Sequence, residues 1–426
     1  MSILNDFLIS KRNNYWDFEK RKKTLLEKNI KYPAKMVSSM QLEILDFFSK
    51  NINFKIDSVL DPFMGSGTII DVAASLGIKK IFGNDLNPYS FIINKLKYSS
   101  YKFDSKILKE ELSLFKMLFN NLKDFKIHKF NKIDKWYKIE VIKEVSKIRH
   151  IIYSNEWKYS NVYEIALINI AKEFSNDRNS TSKLHIKKEE AISKISEDKI
   201  LQSFLSYSLK IAIAIKEEIE PFLSKTQINL YNKNSISLDK FIKNKKIDLI
   251  MTSPPYGDNK TTISYGQFSI LPLLWLKNAV SVEYENNFSK IDNDSLGGKL
   301  RKKSEFSEII ENSQTLKTLF LKLKNDKRVT KVLSFLEDYF NFLKSADRIL
   351  NSNGFLIMTL GNRRVADEII YLDKITFEFL GSIGNYRLVD SINRNIIQKT
   401  IPRIIKSNNG IIKSINEETI IFVQKK

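Results

Sequence analysis

The stretch of sequence that decides the fold is Ile56-Asp57-Ser58-Val59-Leu60-Asp61-Pro62-Phe63-Met64-Gly65-Ser66-Gly67-Thr68. It starts with a short apolar run, turns at two glycines, and continues with apolar residues at helical spacing as far as Leu76. A second short apolar run, Ile81-Phe82-Gly83, ends at Asn84-Asp85. This order predicts a βαβ unit. Parallel strands joined by helices are typical of an open α/β sheet with helices on both faces.

Three later apolar runs fit the same sheet. They are Gln227 to Tyr231, Ile247 to Thr252 and Phe355 to Leu360, the last introduced by the turn Asn351-Ser352-Asn353-Gly354. Ligands of such sheets bind beyond the carboxyl ends of the strands. We therefore expect the polar residues that follow the strands to converge on one edge, namely Asp61, Asp85, Asn234 and Ser253.

The end of the sequence predicts a strand of a different kind. Glu418 to Gln424 is expected to form a final strand, which could pair with Arg387 to Ser391 as an antiparallel hairpin.

Two long segments do not fit a minimal sheet. Residues 101–225 are highly charged, mostly helical in pattern and too long to connect neighbouring strands directly, so they predict a mainly helical inserted subdomain. Residues 278–335 predict a second, smaller insert, which is polar and loop-like around Asn286 to Leu300. The remaining segments are assigned to the domain that contains the sheet: 1–100, 226–277 and 336–426.

The composition excludes several kinds of catalysis. Among 426 residues there is no cysteine, and there are three histidines. The chain therefore has no disulfide, no cysteine-ligated zinc or iron–sulfur cluster and no cysteine nucleophile, and we expect no metal site.

The charge balance indicates a polyanionic partner. Lys and Arg number 70 against 49 Asp and Glu, a formal net charge of +21. Clustered basic residues gain affinity by displacing counterions from phosphates, although a compositional bias toward Lys would also raise the charge. The longest mainly apolar stretch, Phe268 to Leu276, is too short to cross a membrane, and Met1 to Lys11 does not resemble a targeting segment. We therefore expect a cytoplasmic protein with no membrane partner.

The glycine turn predicts a binding loop. Gly65 and Gly67 allow a close ligand approach, and the helix that follows offers unpaired N–H groups to a carboxylate or phosphate. The turn lacks the Gly-Lys-Thr or Gly-Lys-Ser ending of a phosphate loop and the third glycine of a dinucleotide fingerprint. Asp85 follows at a spacing suited to grip ribose hydroxyls, or alternatively caps the helix that begins at Asn87-Pro88.

The second informative turn is Thr252-Ser253-Pro254-Pro255-Tyr256-Gly257-Asp258, directly after an apolar strand. Two prolines fix the backbone and remove two donors, so the carbonyls of Ser253 and Pro254 are presented as acceptors. The Ser253 hydroxyl and a carbonyl suit an amino group on a planar ring, and Tyr256 supplies a flat face for stacking. An ordinary strand-capping turn is the alternative.

With these two turns, the sequence resembles a known family, the S-adenosylmethionine-dependent DNA amino-methyltransferases, which modify N4 of cytosine or N6 of adenine. The resemblance rests on four motifs, which look like the family's N-terminal cofactor motif, main cofactor loop, ribose-binding motif and catalytic motif. In that order they are Tyr32-Pro33-Ala34-Lys35, Asp61 to Thr68, Asp85-Leu86-Asn87-Pro88 and Ser253-Pro254-Pro255-Tyr256.

The resemblance implies a Rossmann-like methyltransferase sheet with a reversed final hairpin, and S-adenosylmethionine as the cofactor. Carried over by position, it implies that the methionine end of the cofactor is lined by Asp61, Phe63, Gly65 and Gly67. Tyr32 and Thr68 would hold its carboxylate, Asp85 its ribose and Leu86 its adenine. Asn234 stands where the family often has an acid and completes the implied cofactor-binding set.

The implied reaction is methylation of the exocyclic amino group of a base flipped out of duplex DNA. Ser253, Pro254, Pro255 and Tyr256 form the implied catalytic set. Ser at the first of these positions resembles the cytosine enzymes more than the Asp or Asn usual for adenine, so we prefer cytosine N4 to adenine N6. Two further alternatives are an RNA guanine amino-methyltransferase and an inactive DNA-binding scaffold. The family also implies a restriction-modification system with a cognate restriction endonuclease.

Both inserts are candidates for DNA contact. Lysines recur every three residues from Lys123 to Lys138 and are interleaved with aromatic residues, which predicts a track for a DNA backbone or, alternatively, a solvated face. These aromatic residues are Phe125, Phe130, Trp136 and Tyr137. The loop Ser175 to Ser180 and the cluster Lys299 to Lys303 are equal candidates.

Overall fold

A computed structural model describes most of the chain. The described residues are 6–7, 11, 15–19, 21–51, 54–99, 102–243, 246–302, 305–396, 404–407, 410–413 and 416–426. The predicted boundary between residues 100 and 101, and Lys303 of the basic cluster, lie outside them.

The strands of these residues form one large sheet and two small ribbons. In chain order they are β1 (Ser58–Asp61), β2 (Lys80–Asn84), β3 (Gln227–Tyr231), β4 (Ile247–Thr252), β5 (Leu350–Gly361), β6 (Arg363–Val365), β7 (Glu368–Ile370), β8 (Tyr386–Asn395), β9 (Ile404–Ser407), β10 (Gly410–Lys413) and β11 (Glu417–Lys425). The large sheet has the order β3-β2-β1-β4-β5-β11-β8, whereas β6–β7 and β9–β10 pair separately. Neighbours from β3 to β5 are parallel, and β11 is antiparallel to both β5 and β8. The predicted α/β sheet and its reversed final hairpin are thus confirmed.

Helices connect the strands and build the two additional regions. Those of the first half are Leu25–Asn29, Ser38–Asn51, Thr68–Ser75, Pro88–Lys97, Ser105–Asn121, Ile133–Trp136, Ile139–Ser154, Ser160–Glu173, Glu189–Ser193, Ile200–Glu218 and Glu220–Leu223. Those of the second half are Leu238–Phe241, Tyr265–Leu273, Val282–Asn286, Lys290–Asp294, Ser307–Glu311, Gln314–Leu323, Val329–Ile349 and Leu372–Ile383. None of these helices is both long and apolar enough to span a membrane.

Both faces of the sheet are buried because alternate residues of its central strands enter different cores. Val59 and Leu249 pack in the core that includes helices Ser38–Asn51 and Thr68–Ser75. Leu60 and Ile250, the next residue of each strand, pack in the core that includes helix Val329–Ile349. A parallel sheet covered on both faces has near-continuous apolar strands, which is the pattern that the sequence carries.

One predicted turn is wrong. Asn351-Ser352-Asn353-Gly354 lies inside β5 rather than before it. Between β4 and β5 the pairing jumps from Ile247↔Leu350 to Leu249↔Phe355, so the extra residues form an irregularity in the strand. Asn353 adopts a φ of 65°, which is compatible with the turn chemistry of its sequence.

The helical region has a core of its own, and that core extends beyond the predicted insert. Helices between Ser105 and Leu223 pack together, and helix Tyr265–Leu273 and the following Trp275 pack into the same core. The predicted boundary at 335 falls inside the helix Val329–Ile349, and the predicted loop around 286–300 contains the helix Lys290–Asp294. The division into domains stays a prediction.

Candidate active site

A cleft opens at the carboxyl ends of the central strands. Its empty space, including the part open to solvent, is about 810 Å³, within the range of small-molecule sites. Residues predicted from the sequence that line it are Tyr32, Phe63, Gly65, Thr68, Asp85, Leu86, Asn234, Ser253 and Pro255. The glycine loop after β1 and the proline turn after β4 therefore face the same space.

The glycine loop is fixed from behind by helix Pro88–Lys97. Ser90 Oγ and Asn94 Nδ2 donate to the Gly65 carbonyl at 2.7 and 3.0 Å, and Lys97 Nζ donates to the Ser66 carbonyl at 3.0 Å. Gly67 has a φ of 84°, and a Cβ there would overlap Asn94 Oδ1. The predicted need for glycine at this position thus has a specific cause: a left-handed residue lies directly against a packed helix.

Asp61 joins the two loops at the end of β1. Its Oδ1 accepts hydrogen bonds from the Phe63 N–H at 3.0 Å and from Thr252 Oγ1 at 2.6 Å. The side chain is fully buried, and Oδ2 has no hydrogen-bond partner within the described residues. Burial raises the pKa of Asp61 to about 7, although both hydrogen bonds to the carboxylate oppose that rise.

Asp85 fixes the turn between β2 and the next helix. Its Oδ2 accepts the Gly65 N–H at 2.9 Å, and its Oδ1 accepts the Asn87 N–H at 2.9 Å. The helix Pro88–Lys97 is capped by Asn87, whose side chain accepts from the Tyr89 N–H, so the alternative role of Asp85 as the helix cap is wrong. Each Asp85 oxygen keeps a second lone pair that a hydroxyl of a ligand can use.

The proline turn carries a chain of hydrogen bonds. Ser253 Oγ lies 3.1 Å from the Tyr256 hydroxyl, which in turn donates to Glu418 Oε1 of β11 at 2.8 Å. Arg394 Nη1 of β8 lies 3.6 Å from Glu418 Oε2. A Cβ on Gly361, at the end of β5, would overlap the Tyr256 ring.

Four predicted site residues do not line the cleft. Asp61 and Pro254 are buried, Gly67 is packed against Asn94, and the Tyr256 ring lies against Gly361. Asp61 and Tyr256 still reach the cleft through lining residues to which they are hydrogen-bonded, Phe63 and Ser253.

Several lining residues were not predicted, in particular Asn259, Tyr265, Ser295 and Leu296. They come together because the buried Asp292 carboxylate accepts the N–H groups of Gly266 and Gln267 at 2.8 and 3.1 Å and so ties the second insert to the start of the helix Tyr265–Leu273. No local pattern signals this contact. The other unpredicted lining residues lie within or beside predicted motifs, at Ala34, Lys35, Met36, Met64, Ser66, Asn87 and Ser235.

The predicted aromatic track does not exist as such. Phe130, Trp136 and Tyr137 are buried in the helical core, where Phe130 and Tyr137 pack against Trp275. Lysines of this segment are exposed, with Lys138 half-buried, and the alternative of a solvated face fits them better.

The first half of the loop Ser175 to Ser180 is buried and the second half is exposed. Ser175, Asn176 and Asp177 are buried, whereas Arg178 is exposed. The segment that follows this loop adjoins the cleft, because Ser182 Oγ accepts the Ser264 N–H at 3.1 Å, one residue before the lining residue Tyr265.

The cleft suits a ligand that combines positive charge with a ribose. The unpartnered, buried Asp61 Oδ2 would gain from a nearby cation. Asp85 has lone pairs available for hydroxyl groups, and Leu86 gives an apolar surface beside it. These features fit S-adenosylmethionine, which carries an ammonium group, a sulfonium and a ribose.

Comparison with known proteins finds similarity to DNA methyltransferases. A family model described as DNA methylase matches residues 9–95, which include the glycine loop and Asp85. The Type II methyltransferase M.MvaI of Kocuria varians is 29% identical over 424 residues, covering 95% of this chain and 91% of that protein. The Type II methyltransferase M.MjaII of Methanocaldococcus jannaschii is 32% identical over 116 residues, covering 25% of this chain and 21% of that protein.

A solved structure, the rRNA methyltransferase aviRa from Streptomyces viridochromogenes, covers 95% of this chain and 90% of its own at 8% sequence identity. Its TM-score of 0.31 is too low to bear on function. The long match to M.MvaI and the family model over the glycine loop agree with the cleft in which that loop meets the proline turn. On these grounds the chain is similar to the S-adenosylmethionine-dependent DNA amino-methyltransferases.

Proposed function

We propose that this enzyme methylates the exocyclic amino group of a base flipped out of duplex DNA, with cytosine N4 preferred to adenine N6. The observation that carries the proposal is the shared cleft, in which Ser253 and Pro255 of the proline turn lie together with Gly65 and Asp85 of the cofactor side. An acceptor for an amino group and a site for the methyl donor thus border one space.

The residues of the proline turn suit an amino group. Such a nitrogen is a poor nucleophile because its lone pair is delocalised into the ring. Hydrogen bonds accepted from its N–H groups by Ser253 Oγ and the Pro254 carbonyl would localise that lone pair on the nitrogen. Both acceptors would also hold the nitrogen in one orientation for attack.

The cofactor side would be held by residues of the glycine loop and its neighbours. Asp61 and Thr68 would lie at the methionine end, Asp85 at the ribose, and Leu86 with Asn234 at the adenine. When bound, S-adenosylmethionine supplies a methyl group on a positively charged sulfur. The absence of cysteine is consistent with direct transfer to nitrogen, because methylation at cytosine C5 requires a thiolate.

We infer that DNA lies across two loops that border the cleft. One contains the exposed Arg178 and Lys183, and is tied to the helix Tyr265–Leu273 through Ser182. The other contains the exposed Lys299 and follows Ser295 and Leu296. Contacts of these cations with phosphates would position a duplex whose base enters the cleft, at a cost of a few kcal/mol for unstacking.

The proposal is tested by identifying the methylated nucleoside. The enzyme is incubated with labelled S-adenosylmethionine and separate pools of duplex DNA and RNA, which are then digested to nucleosides. We expect N4-methylcytosine from DNA. Label in N6-methyladenine alone would overturn the preference for cytosine, and label only in RNA would overturn the DNA substrate. We also propose a companion endonuclease, whose cleavage this methylation would block.

A variant tests the role of Ser253. Ser253→Ala should lower kcat by about 10²–10³-fold, the range seen when one preorganised hydrogen-bonding group is lost, with little change in cofactor affinity. Ser295→Ala is the matched control, because it removes a hydroxyl of the same cleft that already donates to the Ile291 carbonyl. Equal losses of kcat and cofactor affinity in Ser253→Ala would contradict the assigned role.

A further inference from the structure

We propose that Glu418 is a positioning residue that, through Tyr256, makes Ser253 present only acceptor lone pairs to the target base. The inference rests on the proposed function and adds a determinant of substrate specificity at the same site. It predicts that the enzyme distinguishes an amino group from a carbonyl oxygen at the target position by the direction of a buried hydrogen-bond chain.

The direction follows from counting protons. An ionised carboxylate can only accept, so the Tyr256 phenol gives its single proton to Glu418 Oε1, 2.8 Å away. The Tyr256 oxygen is then the acceptor for the Ser253 hydroxyl, 3.1 Å away. With its proton committed to Tyr256, Ser253 Oγ offers the cleft lone pairs only.

Arg394 supports this direction from the other end. Its Nη1 lies 3.6 Å from Glu418 Oε2, and its side chain is 5% exposed. A guanidinium is a donor only, so this neighbour can face only an accepting oxygen of Glu418. Burial and the Glu418 carboxylate also raise the pKa of Tyr256 well above its ordinary value, which keeps the phenol protonated.

The fold places these groups in register. In the antiparallel pairing, Glu418 of β11 lies opposite Gly361 of β5 on one side and opposite Arg394 of β8 on the other. The Tyr256 ring fits against β5 because residue 361 has no side chain. The final hairpin thus holds the chain of hydrogen bonds that ends at the cleft.

The consequence is selectivity for the chemical group on the base. An amino N–H meets a lone pair of Ser253, whereas a carbonyl oxygen in the same position would face lone pairs and remain unpaired. Uracil in place of cytosine, or hypoxanthine in place of adenine, would therefore bind poorly even in the correct DNA sequence.

The test is Glu418→Gln, which keeps the size of the side chain. Arg394 requires an acceptor and should hold the amide oxygen, so the amide NH₂ faces Tyr256 and reverses the chain: Tyr256 donates to Ser253, and Ser253 donates into the cleft. Glu417→Gln is the matched control, because Glu417 is the exposed neighbour of Glu418.

The measurements are kcat, cofactor affinity, and the ratio of affinities for duplexes that carry the amino base or its keto counterpart at the methylated position. We expect Glu418→Gln to lower kcat and to shift the affinity ratio toward the keto base by about tenfold or more, with unchanged cofactor affinity. Comparing ratios between enzymes cancels the easier flipping of a mismatched base. The control should behave like the wild type.

Tyr256→Phe gives an independent readout, because it frees the Ser253 proton while Glu418 stays in place. It should shift the ratio in the same direction, and adding Glu418→Gln to it should change the ratio no further. The inference would be overturned if Glu418→Gln has a wild-type circular dichroism spectrum and an unchanged affinity ratio. If Glu418→Gln does not fold, an unchanged affinity ratio in Tyr256→Phe would overturn it instead. A wild-type enzyme that methylates no amino group in DNA would instead overturn the proposed function.

Discussion

Replacing Asp61 by Asn removes one ionisable group from the end of β1 and leaves the loop hydrogen bonds in place. An amide oxygen can still accept from the Phe63 N–H and from Thr252 Oγ1. In the wild type, burial raises the pKa of Asp61 from 3.8 to about 7. The native protein therefore holds this proton up to about pH 7, whereas the unfolded chain releases it near pH 4.

The sign of the effect on stability follows from this difference. Between pH 4 and pH 7 the native state binds more protons than the unfolded state, so the free energy of unfolding falls as the pH rises. The shift corresponds to about 4 kcal/mol over the whole window, and it is absent in Asp61→Asn. The variant should be the more stable protein at pH 8, although an unpaired buried amide NH₂ would reduce the gain by about 1–3 kcal/mol.

Urea unfolding of the cofactor-free proteins, followed by circular dichroism between pH 4.5 and pH 8, measures this difference directly. Asp57→Asn is the control. Asp57 lies just before β1 and its pKa is lowered by hydrogen bonding to Lys55, so its contribution to the pH dependence of stability has the opposite sign.

In calorimetry, wild-type affinity for S-adenosylmethionine should rise up to about pH 7, because a cationic ligand favours the carboxylate of Asp61, whereas Asp61→Asn should bind the cofactor weakly at every pH. Stability curves of wild type and Asp61→Asn that run parallel across this range would refute the reasoning.

Three further predictions concern the glycine loop, its support and the DNA surface. Gly67→Ala should abolish cofactor binding in calorimetry, because the new Cβ would clash with Asn94. Gly77→Ala is the control: residue 77 also has a positive φ but has open space around it, so this variant should lose only about 1–2 kcal/mol of stability and keep its activity. Equal effects of the two substitutions would contradict the clash with Asn94. Lys97→Met should lower the free energy of unfolding in urea by about 3 kcal/mol, because it leaves the Asp71 carboxylate without its ion pair. An unchanged midpoint of urea unfolding would argue against that ion pair. Arg178→Ala should weaken DNA binding and reduce the slope of log K against log salt by about 1, and an unchanged slope would exclude a phosphate contact.

The fold could be predicted from the sequence because its signals are local. The bounds of β3 and β4 match the predicted apolar runs, since each run is closed by polar or turn-forming residues. The glycine loop and the proline turn were predicted to share an edge from strand order alone, and Gly65 and Ser253 do line one cleft. A parallel sheet brings the carboxyl ends of its strands together whatever the length of chain between them.

The parts of the site that could not be predicted from the sequence depend on contacts between distant segments. Tyr265 and Ser295 reach the cleft through the Asp292 carboxylate, which looks like any other acid in the sequence. Trp136 was misassigned for a related reason: the segment is charged, but the core that buries this ring includes the helix Tyr265–Leu273 and can be seen only once the chain is folded. Glu418 meets Tyr256 only because the strand register sets Glu418 against Gly361.

The position of β11 also bears on how the chain reaches its native state. β5 and β8 each pair with β11 and not with one another, so β5 keeps one edge open, and β8 has no partner in the sheet, until residues 417–425 have been inserted between them. Pairing that joins segments so distant in sequence is slow, and unpaired edges invite association between chains. Refolding from denaturant should therefore pass through a species prone to aggregate, in which the parallel strands β1 to β5 are paired before the strand that carries Glu418 is inserted.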